Sequence, residues 1–158
     1  MFHIPGARSL ISNVVYMDER VYFASLLFAS QMGILGKPEV IRAADQRIVE
    51  LEKPEYWLIE LSTEGDSGEL EGLIVSADER VYLEVLRLAY RAWVEERISD
   101  AKVAACCSTL WKQAGYQSRW YADLISVEVE FDLVDQDVFR KEDSAKRIRT
   151  AIEKILQR

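Results

Sequence analysis

The stretch Trp120-Tyr121-Ala122-Asp123-Leu124-Ile125-Ser126-Val127-Glu128-Val129-Glu130-Phe131-Asp132-Leu133-Val134-Asp135-Gln136-Asp137-Val138 decides the fold class, because two periodicities run through it. Val127, Val129, Phe131 and Leu133 alternate with Glu128, Glu130 and Asp132, which is the period of a half-buried strand. Trp120, Leu124, Val127, Phe131, Val134 and Val138 are spaced 4, 3, 4, 3 and 4, which is the period of a helix face. A strand needs a partner for its backbone groups, and no other segment alternates as well. The spacing therefore predicts a helix here, and with it an all-α chain.

Outward from this stretch every segment reads as helix. The first runs from about Glu19 to Leu35, with Val21, Tyr22, Ser25, Leu26, Phe28, Ala29 and Met32 at three- and four-residue spacing and Gly36 as its stop. Pro38 opens a second, from about Glu39 to Glu52, striped by Val40, Ile41, Ala44, Ile48 and Leu51. Lys53-Pro54 repeats the device ahead of a short helix through Tyr56, Trp57, Leu58, Ile59 and Leu61. Glu64 to Gly72 reads as the one clear loop, holding three of the seven glycines. Ser76-Ala77-Asp78-Glu79 has the spacing of a capping box with Ser76 as N-cap, starting a helix that ends near Arg97. Another spans Ser99 to Ala114 and stops at Gly115, and a last one starts near Asp143 or Ser144. With only three prolines and seven glycines, a many-stranded protein would lack turn residues. The expectation is a single helical domain over residues 1–158, a compact array of six to eight helices.

An internal echo complicates the plan. Asp18-Glu19-Arg20-Val21-Tyr22 returns as Asp78-Glu79-Arg80-Val81-Tyr82, and the same offset pairs Val15 with Val75, Leu26 with Leu86 and Ala29 with Ala89. Two readings stay open: two related helical halves, or the ordinary resemblance of acidic helix starts followed by apolar residues. The match fades afterwards, since Gly36-Lys37-Pro38 has no counterpart near Glu96.

Charge narrows the function classes. The net charge is −7 and the isoelectric point about 4.9, so phosphate backbones and anionic membranes are repelled. General nucleic-acid binding and membrane attachment are not expected. Val138 to Arg158 carries seven basic and three acidic residues, hence +4, which leaves −11 on the remainder. That tail helix is expected to lie on the acidic body, a local anion-binding face being the alternative. The longest uncharged stretch, Val21 to Gly36, has sixteen residues, too few and too polar to span a bilayer. The first residues lack the apolar core of a signal peptide, and the only cysteines, Cys106 and Cys107, are adjacent and form no disulfide framework. A cytoplasmic location follows. Cys107 is expected inside on the Val103–Leu110–Trp111 stripe, with Cys106 on the polar side and more accessible.

Catalytic constellations are missing. His3 is the only histidine, which leaves Ser–His–Asp and Cys–His chemistry without a base and zinc without ligands. No catalytic residue, cofactor or metal is expected. Gly65, Gly68 and Gly72 stand among acids and precede no Lys-Ser/Thr pair, so they do not cradle phosphate. The aromatics Tyr56-Trp57 and Trp111, Tyr116, Trp120 and Tyr121 are expected in the core. What remains is a non-catalytic, acidic protein-binding module. Its most concrete form is a bacterial immunity or antitoxin-like inhibitor of a basic toxin, met through Glu64, Asp66, Glu69 and Glu71 on an adaptable loop. The alternatives are a small enzyme pairing carboxylates such as Glu128, Glu130 and Asp132 with a divalent metal, and a structural homodimer subunit.

Overall fold

From Val21 to Ala29, nine consecutive residues are buried. A helix that is apolar all round has to be enclosed on every side, and this one, α1 (Glu19–Gln31), organises its surroundings. The computed structural model describes residues 18–115, 121–137 and 140–157. Among them are eight helices and no strand. After α1 come α2 (Lys37–Glu50), α3 (Tyr56–Glu64), α4 (Gly68–Val75), α5 (Glu79–Val94), α6 (Asp100–Ala114), α7 (Tyr121–Asp135) and α8 (Lys141–Leu156). The chain divides into two compact units, Met1–Val85 and Leu86–Arg158, with the boundary inside α5.

In the first unit α1 packs on α2 and α4, α2 on α3, and α3 on α4. Phe23 meets Trp57 at 5.7 Å between ring centroids, and Phe28 meets Tyr82 at 5.3 Å. Each such side chain gains about 1.5–3 kcal/mol by leaving water. The polar groups enclosed with them are satisfied. The Ser25 hydroxyl donates to the Val21 carbonyl at 2.7 Å, and the Tyr82 hydroxyl donates to that of Ile74 at 3.0 Å.

In the second unit α6 packs on α7 and α7 on α8. Val103, Cys106, Cys107 and Leu110 supply the buried face of α6, Leu124, Val127 and Phe131 that of α7, and Ile148, Ile152 and Ile155 that of α8. The 4-3-4 stripe thus prevails over alternation in α7. Leu124 and Val127 are sealed off, whereas Val129, which a strand would bury beside Val127, is 46% exposed.

The turn after α1 is built again after α5. Gly33 takes a left-handed φ of 76°, the Ile34 N–H reaches the Ala29 carbonyl at 2.9 Å, and that of Gly33 reaches Ser30 at 3.1 Å. After α5, Glu96 has φ 59°, Arg97 reaches Ala92 at 2.8 Å, and Glu96 reaches Trp93 at 3.0 Å. Both are Schellman closures. Gly36 and Ser99 then cap the next helices three residues beyond Gly33 and Glu96, and Val40 and Val103 are both buried behind them. The helix starts of the echo match as well: Asp18 accepts from the Arg20 N–H at 2.8 Å, and Asp78 from that of Arg80 at 2.9 Å. The equivalence runs at an offset of sixty residues at the starts and sixty-three at the turns, because α5 has sixteen residues where α1 has thirteen.

Four expectations are corrected. Gly33, not Gly36, ends α1, and Gly36 caps α2 with the Glu39 carboxylate reaching back to its N–H at 3.3 Å. Ser76 does not open a capping box. It is the C-cap of α4, while Asp78 is the residue before α5 and takes the Arg80 N–H. Most of the expected loop from Glu64 to Gly72 is helix, since Ser67 caps α4 and accepts from the Leu70 N–H at 3.4 Å. Finally, Cys106 is as buried as Cys107, at 2% and 0% exposure. Residues 103, 106, 107 and 110 recur at three- and four-residue spacing, so one helix face holds both thiols.

Burial pushes the Cys106 thiol up to about 12 and holds Cys107 well above the ordinary range. Neither thiol should react with an aromatic disulfide reagent until the chain unfolds. Cys106→Ser and Cys107→Ser should each cost about 1–3 kcal/mol in denaturant titration, because each buries a hydroxyl in an apolar site. Glu96 offers the opposite test. It bears the left-handed conformation that Gly33 bears without cost, so Glu96→Gly should stabilise by about 1 kcal/mol.

Candidate functional site

The four acids expected to meet a partner lie on the turn between α3 and α4. Gly65 ends α3 at φ 73°, where its N–H closes on the Leu61 carbonyl at 2.9 Å. The Lys37 stem crosses over it so tightly that an added Cβ would sit 2.1 Å from Lys37 Cε. Ser67 then starts α4, and the Gly68 N–H is taken by Glu60 at 2.9 Å. The acids are therefore mounted on a short rigid turn.

Their positions differ in chemistry. Glu69 and Glu71 fall in the first turn of α4, where the positive end of the helix dipole favours a carboxylate. Glu69 pairs with Arg20 at 3.0 Å, an exposed contact worth at most about 1 kcal/mol. Glu71 accepts from the Gln31 amide. Partial burial raises its pKa, the Gln31 hydrogen bond opposes that, and the charge of neighbouring Asp66 and a hydrogen bond with it raise it further. Asp66 also accepts from the Ser67 N–H at 2.7 Å. Glu64 is exposed at the last position of α3, where the helix dipole disfavours an acid. Thus Asp66 and Glu71 are brought together, with Glu64 and Glu69 on the same turn.

Charge segregates along the chain in the same sense. Residues 1–85 carry fifteen acids and seven bases, net −8, and residues 86–158 carry twelve and thirteen, net +1, which together make the −7 of the whole.

The second acidic group, on α7, is engaged in holding the second unit together. Glu128 accepts from the Trp111 indole N–H at 2.7 Å. Glu130 receives the Arg147 guanidinium at 2.7 and 3.1 Å and the Ser144 hydroxyl at 2.9 Å, and Arg147 holds its carboxyl below the usual range. Asp132 is exposed. Among the described residues no three of His, Cys, Asp and Glu are grouped as a metal would need. Two shallow hollows occur in this unit. One of about 370 Å³ is lined by Asp123, Lys146, Arg147, Thr150, Ala151 and Lys154, and one of about 330 Å³ by Arg87, Tyr90, Arg91, Val94, Glu95 and Leu156. Neither contains Glu128, Glu130 or Asp132. The basic tail helix is tied back in part, through Arg147 and through Lys141 to Asp100 at 3.4 Å.

Of the aromatics, Trp57 is core and donates its indole N–H to Glu55 at 2.6 Å. Tyr56 beside it is 75% exposed, contrary to the expected core position. His3, Tyr116, Trp120 and the side chain of Tyr121 lie outside the described residues. Sequence reasoning also missed the exposed apolar residues Val49 and Ile59, at 86% and 42%. Val49 had a legible signal, since it falls off the stripe of Val40, Ala44, Ile48 and Leu51. No family model matches the chain, and neither a curated protein nor a solved structure does so.

Because Glu71 is raised, the fold binds its proton better than the unfolded chain does. Its ionised form therefore works against the fold, and that loss is present at neutral pH and absent below the ordinary carboxylate range, about 4. Glu71→Gln keeps the Gln31 contact through its amide oxygen. It should raise Tm at pH 7, and the gain should vanish as pH falls through 4.

Proposed function

We propose that this chain is a non-catalytic protein-binding module whose partner is a basic protein met through the acidic first unit. Its most concrete form is a cytoplasmic immunity or antitoxin-like inhibitor that covers the cationic site of a toxin such as a nuclease. The observation that carries this reading is the concentration of net charge in residues 1–85, together with the fixed turn that presents Glu64, Asp66, Glu69 and Glu71. Acids already held in place lose little freedom when a partner arrives. An anionic surface also draws a cationic protein in faster than diffusion alone. The same charge turns away nucleic acid. Among the described residues no helix is long and apolar enough to cross a membrane.

The test is association kinetics against a panel of cationic bacterial nuclease toxins. For a toxin that binds, replacing Glu64, Glu69 and Glu71 by Gln and Asp66 by Asn together should slow association about tenfold or more at low salt. Dissociation should change far less, and the salt dependence should flatten. Unchanged rates at every salt concentration would remove the turn from the interface. Failure of every toxin to bind at micromolar concentration would remove the inhibitor reading.

A further inference from the structure

We propose that the loop end of the α2–α3 hairpin is the apolar centre of the interface, and that it docks a cationic protein surface carrying an exposed apolar side chain. The inference rests on the basic-partner reading above and identifies what charge alone does not supply. Three of the large apolar side chains exposed among the described residues, Val49, Tyr56 and Ile59, belong to this hairpin. The hydrogen bond from the Ser62 hydroxyl to Asp45 fixes its register. Val49 lies one turn beyond Asp45 in α2, and Ile59 one turn before Ser62 in α3, so antiparallel packing sets the two side by side on the solvent face. Tyr56 follows one turn further along α3.

Acids surround the patch. Asp45, Glu52 and Glu55 are exposed on this hairpin, and from Asp45 to Glu64 six acids stand against two bases. Arg47, one of the two bases, is already engaged by Glu19 and Glu50. An apolar centre containing a tyrosine and ringed by charge is the usual arrangement of an energetic hot spot with its rim. A second copy does not suit this face, because a two-fold pairing would set acid against acid. A cationic partner neutralises the ring as it covers the centre. The acidic turn at the far end of α3 is eight residues from Tyr56, about 12 Å along the helix. One interface of standard size, about 800 Å² per partner, therefore has room for both.

The experiment uses two synthetic helical peptides of equal charge, one alternating Arg with Leu along its contact face and the other Arg with Ser. Each is titrated into the intact protein by calorimetry, with amide NMR mapping. The Arg/Leu peptide should bind at least tenfold more tightly and perturb amides from 45 to 62. The double variant Val49→Ser/Tyr56→Ala should abolish that preference and leave Arg/Ser affinity within twofold. Both substitutions are at exposed sites, and an unchanged circular dichroism spectrum confirms the fold. If the peptides bind alike, with shifts centred on 64–71, the hairpin inference fails while the basic-partner reading stands. If neither binds, both fail. If sedimentation instead shows a dimer that the double variant disperses, a second copy covers the face and the proposal is overturned.

Discussion

Enclosure of α1 is the constraint on which the first unit depends. A helix with a polar face can rest on one neighbour, but nine buried residues in succession leave α1 no side for water. The Ser25 hydroxyl in that run donates to the Val21 carbonyl one turn back at 2.7 Å and to the Val81 carbonyl of α5 at 3.5 Å. The surrounding helices are free to be short, and the chain between them is shorter still. Asp78 illustrates the economy: its N–H closes α4 on Leu73 at 3.2 Å while its carboxylate opens α5. Connections this tight leave no slack for a loop to conform to anything.

That tightness also determines where charge can go. Since α1 accepts none between Val21 and Ala29, most of the charged residues of residues 18–85 lie on helix ends and on α2, α3 and α4, although Glu84 is buried within α5. Acids outnumber bases there by fifteen to six, so a net negative charge remains even with Glu19, Glu50, Glu69 and Asp78 paired to arginines. In the second unit the balance is nearly even, and pairs such as Glu130 with Arg147 use charge to clamp α7 to α8. Both units join helices through ion pairs, and only the first keeps a large net negative charge.

How much of this was legible in the sequence follows from which forces act locally. The helices were legible, α7 included, because the spacing of Leu124, Val127 and Phe131 reports a face that tertiary packing then buries. Helix ends were less so. Gly36 and Gly33 are equally good stops by residue type, and only the hydrogen bonds to Ala29 and Ser30 choose between them. The stretch from Glu64 to Gly72 looked like a loop because its three glycines, Asp66 and Ser67 are poor helix formers, yet a cap at Ser67 and apolar Leu70 and Ile74 docking inward outweigh propensity. Cys106 was misplaced because the α6 stripe was drawn too narrow. The candidate site was legible as a set of residues, while its rigidity, the pairing of Asp66 with Glu71 and the apolar hairpin end depend on contacts that no local pattern encodes.

The echo between the two helix starts bears on the same point. Sequence similarity fades after Ala29 because α5 is one turn longer than α1, and a fixed offset of sixty residues then compares unrelated positions. At sixty-three the match resumes in structure rather than in residue type. Gly33 is answered by Glu96, Gly36 by Ser99, Val40 by Val103 and Ala44 by Cys107, with the last two pairs buried throughout. Only the buried positions and the backbone hydrogen bonds survive. Those are the features that a helix–turn–helix of this geometry requires, whatever its surface carries. The two surfaces differ, the first unit being strongly acidic and the second nearly neutral.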